Sequence, residues 1–117
     1  MNLKIEIKDN IAIIFLSANT VGGSDDSAKL QGIINLLLPF KQIEIIIVDL
    51  EEVRWINARG IGALMGAQSE LAKLKIKYLI SGTNESIANK FKMMKLDIVF
   101  KLFKTIALAK ESLLKNE

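Results

Sequence analysis

Ile45-Ile46-Ile47-Val48 is an unbroken run of β-branched residues, and it limits the fold more than any other stretch. A strand that is apolar on both faces must be covered on both, as in a parallel sheet packed between helices. Asp49 ends the run, and Glu51, Glu52 and Arg54 mark a solvated loop. Val53, Trp55 and Ile56 return the chain towards the core, and Asn57-Ala58-Arg59-Gly60 reads as a tight loop. Behind it Ile61, Leu64, Met65 and Leu71 recur at three- and four-residue spacing, which places them on one helical stripe. In an open α/β sheet, ligands and partners are met at the carboxyl ends of strands and the amino ends of the helices that follow. The Asn57–Gly62 turn is therefore the first candidate site.

The remaining chain supplies neighbours for that strand. Leu3 to Lys8 alternates apolar and charged residues, as a half-buried strand does, and Asp9-Asn10 suits a two-residue hairpin turn into a second strand, Ile11 to Leu16. After Gly22-Gly23, Ser24 or Asp25 can cap a helix that buries Leu30, Ile33, Ile34, Leu37 and Leu38 and ends near Pro39. The third strand is Glu44 to Asp49, and the second helix runs from about Gly60 to Lys73. Lys77 to Ser81 is a short strand. Asn84 caps a third helix carrying Ile87, Phe91 and Met94, and Phe91, Met93, Met94, Phe100 and Phe103 are mostly core by spacing. Val99 to Phe103 is the last strand, before a helix marked by Ile106, Ala109 and Leu113. The order β-β-α-β-α-β-α-β-α predicts one α/β domain over residues 1–117, with a mixed, mainly parallel sheet opened by a hairpin and about four helices.

Residue types missing from the chain narrow its function. There is no cysteine and no histidine, which removes thiolate chemistry, the commonest general base and histidine-ligated metal sites together. The expectation is a non-enzyme without cofactor. The net charge of +3 hides an asymmetry: residues 1–72 carry 6 Lys/Arg and 9 Asp/Glu, residues 73–117 carry 10 lysines and 4 acids. The lysines are dispersed, without arginine or interleaved aromatics, so they read as solvated faces and not as a nucleic-acid surface. No apolar run reaches the ~20 residues of a membrane span, and the start has no signal-peptide core. A cytoplasmic location is expected.

Other features have local explanations. Gly60-x-Gly62, with Gly66, faintly resembles a phosphate-cradling turn, but the dinucleotide fingerprint is incomplete. Room to turn at Gly60 and close helix packing at Gly62 and Gly66 account for them. Asp49, Glu51 and Glu52 crowd three carboxylates, read as solvated acids and not as a metal site. Trp55 is either a partner anchor or partly buried between Val53 and Ile56, and its flanks favour burial. Arg59 is a cation at a helix amino terminus, where it opposes the macrodipole. Such a choice is either neutral drift or a binding feature.

The sequence resembles the STAS domain, found in bacterial anti-sigma factor antagonists and the cytoplasmic tails of sulfate transporters. The family signature is an apolar strand ending in Asp-Leu, an apolar pair, then Asp-Ser-Ser-Gly and a Leu-Gly-x-Leu helix start. Here it reads Val48-Asp49-Leu50, Trp55-Ile56, Asn57-Ala58-Arg59-Gly60 and Ile61-Gly62-Ala63-Leu64. Gly82 to Ile87, Lys95-Leu96-Asp97 and Thr105 to Ala109 echo its later motifs. The resemblance implies a non-catalytic module that binds an anti-sigma factor of the serine-kinase type, or another regulatory ATPase. Ser24, Asp25, Asn57, Ala58, Arg59, Gly60, Ile61 and Gly62 would form the contact. In phosphorylatable members the second serine of the signature takes the phosphoryl group; Arg59 stands there in this chain and cannot. Two alternatives remain open: a STAS subunit of a lipid-transport complex, and a binder of a small anion or nucleotide at the helix terminus. A weak homodimer through the hairpin's outer strand also stays open, since Lys4 and Lys8 are as suited to protecting that edge.

Overall fold

The computed structural model describes residues 1–114; residues 115–117, the end of the predicted domain, lie outside the described residues. The elements are β1 (Asn2–Lys8), β2 (Ile11–Val21), α1 (Asp26–Leu37), β3 (Ile45–Ile56), α2 (Ala58–Lys73), β4 (Lys77–Ser81), α3 (Glu85–Met93), β5 (Leu102–Phe103) and α4 (Ile106–Leu114). The strands form one sheet in the order β1-β2-β3-β4-β5. β1 and β2 are antiparallel; β2, β3, β4 and β5 run parallel. The predicted element order and mixed sheet are what the chain forms.

The apolar run sits at the centre because it is apolar on both faces. Ile46, Val48 and Leu50 belong to the core beneath α1, α2 and α3, with Leu30, Ile34, Leu64, Leu71, Ile87 and Phe91. Ile45 and Ile47 belong to a smaller core on the opposite face, closed by Ala109, Ile106 and Leu113 of α4.

Several boundaries differ from the sequence expectation. β2 continues past Leu16 to Val21, through an irregularity between Phe15 and Ser17, because Ser17–Val21 finds a parallel partner in 52–56. β3 accordingly continues through the predicted loop to Ile56. Asp49 is not a solvated acid: it is 3% exposed, its Oδ1 accepts from Ser81 Oγ at 2.8 Å and its Oδ2 from Glu51 N at 3.4 Å. Glu51 and Glu52 are exposed as expected, and no acid cluster suited to a metal occurs among the described residues. The last strand is only Leu102–Phe103, since the N–H groups of Val99 and Phe100 both turn back to Leu96 O. Phe100 is nevertheless core, edge-on to Phe91. Met65, Met93 and Met94 are exposed and not core, Met93 at 84%; Met93 and Met94 stand at the carboxyl end of a short α3. A Cβ at Gly62 or Gly66 would meet nothing within 4 Å, so close packing does not explain these glycines.

Candidate functional site

The site is built where β2 and β3 end side by side and α1 and α2 begin. Asn57 N donates to Val21 O at 3.1 Å, which joins the two strand ends. Asn57 has extended backbone and caps α2, so the helix starts at Ala58, two residues before the expected position. Its Oδ1 accepts from Gly60 N at 2.9 Å, and its Nδ2 donates to Gly22 O at 3.3 Å. One side chain thus satisfies a helix-terminal donor and holds the β2–α1 loop.

Both glycines at this junction are required by close approach. Gly22 has φ +135°, and a Cβ there would collide with the Asn57 carboxamide. A Cβ on Gly60 would lie 2.3 Å from Val21 O and 2.8 Å from the Ile56 side chain.

The β2–α1 loop is fixed from its other side by Asp26. Asp25 occupies the cap position of α1 but makes no capping bond, and Ser24 is not the cap. Instead Asp26 Oδ2 accepts from Gly22 N and Gly23 N, both at 2.8 Å. Burial pushes the Asp26 carboxyl upward, but these two N–H donors and nearby positive charge, including Lys29, outweigh it, so its pKa falls below the usual aspartate value.

α3 completes the surroundings. Lys90 Nζ donates to Ile56 O at 2.7 Å, and Asn84 Nδ2 donates to Arg54 O at 3.1 Å while its Oδ1 caps α3 at Ile87 N. Ala58 shares an open groove of about 760 Å³ with Ser86, Asn89, Lys90, Met93 and Met94. The contact expected from the sequence does not include this α3 wall; Met93, one residue off the Ile87-Phe91-Met94 stripe, is the signal that points to it.

Of the candidate contact residues, Ser24, Asp25, Asn57, Ala58, Arg59 and Gly62 are exposed, around one junction. Gly60 and Ile61 are buried, Ile61 to 1% exposure, so they support the turn from beneath. The Arg59 side chain makes no hydrogen bond, ion pair or ring contact with the described residues. Trp55, at 49% exposure, is less buried than its flanks imply; it pairs with Thr20 near the ends of β3 and β2.

A mixed sheet with three helices on one face, one on the other, and an exposed capped turn at its strand ends defines a small α/β module. The sequence matches the STAS domain over residues 2–109, and the chain belongs to that family. A comparison with curated proteins gives no match. Among solved structures, the fold is similar to the anti-sigma factor antagonist SpoIIAA in its unphosphorylated form, with TM-score 0.76, 14% identity and 99% of each chain covered. It is also similar to an anti-sigma factor antagonist from Mycobacterium paratuberculosis, with TM-score 0.80, 17% identity, and 95% of this chain and 92% of that one covered. A sulfate transporter family protein from Wolinella succinogenes aligns with TM-score 0.73 and 20% identity over 92% of this chain and 89% of that one. At these identities the likeness is one of fold.

Proposed function

We propose that this STAS domain is a regulatory protein-binding module with no catalytic activity of its own. It docks an anti-sigma factor of the serine-kinase type, or another regulatory ATPase, through the first turn of α2 and the adjoining β2–α1 loop. The observation that carries this reading is Arg59: an exposed guanidinium without a partner among the described residues, on a turn that Asn57 caps and ties to the β2–α1 loop, which Asp26 holds from its other side. Such a cation is ready for a bidentate contact with a partner carboxylate. The methionine-lined groove beside Ala58 extends the same surface with adaptable apolar area.

The position matching the family's phosphoacceptor has no hydroxyl, so the module binds without that switch. An anion at the α2 terminus is the weaker reading, because the Asn57 carboxamide already occupies the Gly60 N–H an anion would use. Affinity capture from native extract with wild type and Arg59→Asp, followed by mass spectrometry, tests the proposal. Wild type is expected to retain a serine-kinase-type anti-sigma factor or a related ATPase, and Arg59→Asp to lose it by roughly tenfold or more. A transporter ATPase in its place would move the function to a transport complex. Equal retention by both baits would remove the turn from the interface.

A further inference from the structure

Among the described residues β1 lies at the edge of the sheet with one side unpaired. Its backbone and its charges are both self-complementary. Lys8 faces Ile11 across the two-residue turn at Asp9-Asn10, where Asp9 takes φ +56°. A pair flanking such a turn is hydrogen-bonded, and hydrogen-bonded pairs alternate along an antiparallel ladder. Lys8, Glu6 and Lys4 therefore direct their backbone groups to β2, while Ile7, Ile5 and Leu3 direct theirs outward at the free edge. An added antiparallel strand must set outward residues against outward residues.

A second copy of β1 meets that condition when Ile5 faces Ile5. Leu3 then opposes Ile7, Asn2 opposes Lys8, and Lys4 opposes Glu6 twice over, so the whole strand pairs. Sliding by one step in the ladder sets Lys4 against Lys4; sliding the other way sets Glu6 against Glu6 and Lys4 against Lys8. Charge thus selects the symmetric register. That register also covers Ile7, which is 43% exposed in the single chain, with Leu3 of the second copy. Lys4 leans over the Phe15 ring at 5.9 Å, on the face where Glu6 of the second copy would stand.

We propose that two copies of this chain associate through β1 in the Ile5-centred antiparallel register, joining their sheets into one. Lys4, which would block a foreign strand, is neutralised by Glu6 of this one partner, and Lys8 meets the uncharged Asn2. The interface leaves the α2 turn untouched, so the dimer would offer two partner-binding sites.

Sedimentation equilibrium on the full chain with an untagged amino end, from about 1 µM to about 1 mM, tests this. Wild type is expected to dimerise with concentration. Glu6→Lys, which turns both Lys4–Glu6 pairs into like charges, should raise the dissociation constant about tenfold or more. Combining Lys4→Glu with Glu6→Lys restores opposite charges and should restore the dimer. Mixing single Lys4→Glu with single Glu6→Lys should give heterodimers where neither variant dimerises alone. Circular dichroism establishes that each variant is folded. A wild type that stays monomeric up to about 1 mM, a dimer indifferent to Glu6→Lys, or a double exchange that fails to restore association would overturn the proposal.

Discussion

The Asn57 carboxamide occupies the space in which a side chain on Gly22 would begin: a Cβ there would fall 1.7 Å from Asn57 Oδ1. The same carboxamide donates to Gly22 O, so the two halves of the site are joined by a contact that only glycine permits. Gly22→Ala is expected to cost at least about 2 kcal/mol, since it adds a collision to a φ of +135° that L-residues avoid. Urea denaturation measures this. A loss below about 0.5 kcal/mol would mean that the loop shifts freely and that Asn57 does not fix it.

Asp26 holds the same loop with charge. Its pKa is lowered in the folded protein by the Gly22 and Gly23 N–H groups, against the opposing effect of burial. A depressed carboxyl contributes stability that is present above the unfolded value of about 3.9 and is lost as pH falls through the lower folded value. Asp26→Ala should therefore cost about 2 kcal/mol near neutral pH. The gap between wild type and variant should narrow below about pH 4. Denaturation curves at several pH values check both parts, and a gap that does not change with pH would show that ionised Asp26 is not what holds the loop.

Much of this fold was legible because the apolar pattern is plain. Ile45–Val48 read correctly as a central strand covered on both faces, and Leu30, Ile34 and Leu37 as the buried side of α1. The misread parts depend on tertiary pairing. Ser17–Val21 and 51–56 carry polar residues that look like loop, yet each supplies the other's backbone partners. Asp49 looks solvated in the sequence because its partner, Ser81, lies 32 residues away. At the site, Asn57 was legible as part of the turn but not as its tie to Gly22, which depends on how two strand ends meet.

Tyr78 tests the packing of the core directly. Its ring lies 6.2 Å from Phe100 in an edge contact, but its buried hydroxyl has no hydrogen-bond partner among the described residues. Tyr78→Phe should leave stability unchanged or raise it by up to about 1 kcal/mol, because an unsatisfied polar group is removed while the ring stays. Burial also pushes the Tyr78 phenol far above its usual value. The unfolded chain ionises near pH 10 while the folded one stays protonated, so stability falls as pH rises above about 10, by up to about 1.4 kcal/mol per pH unit. The chain has one tyrosine, so tyrosinate absorbance should appear only as the protein unfolds. Ionisation near pH 10 in the folded state would place the hydroxyl in water.

Arg59 and Asn57 separate binding from folding on the same turn. Arg59 is the second residue of α2, and no acidic residue lies in that helix's first turn. Replacing this cation with an acid turns an unfavourable dipole interaction into a favourable one. Arg59→Asp should therefore raise stability by about 0.3–1 kcal/mol while weakening partner capture. Asn57→Ala should do the reverse in its first effect: loss of the cap and of the tie to Gly22 should cost about 1–2 kcal/mol, and binding should fall only as the turn loosens. Asn57→Asp keeps the Gly60 cap and should recover most of the stability. Thermal unfolding alongside partner capture for the three variants separates the roles. If Arg59→Asp destabilises the fold as much as Asn57→Ala does, Arg59 is structural, and its lost binding says nothing about the surface.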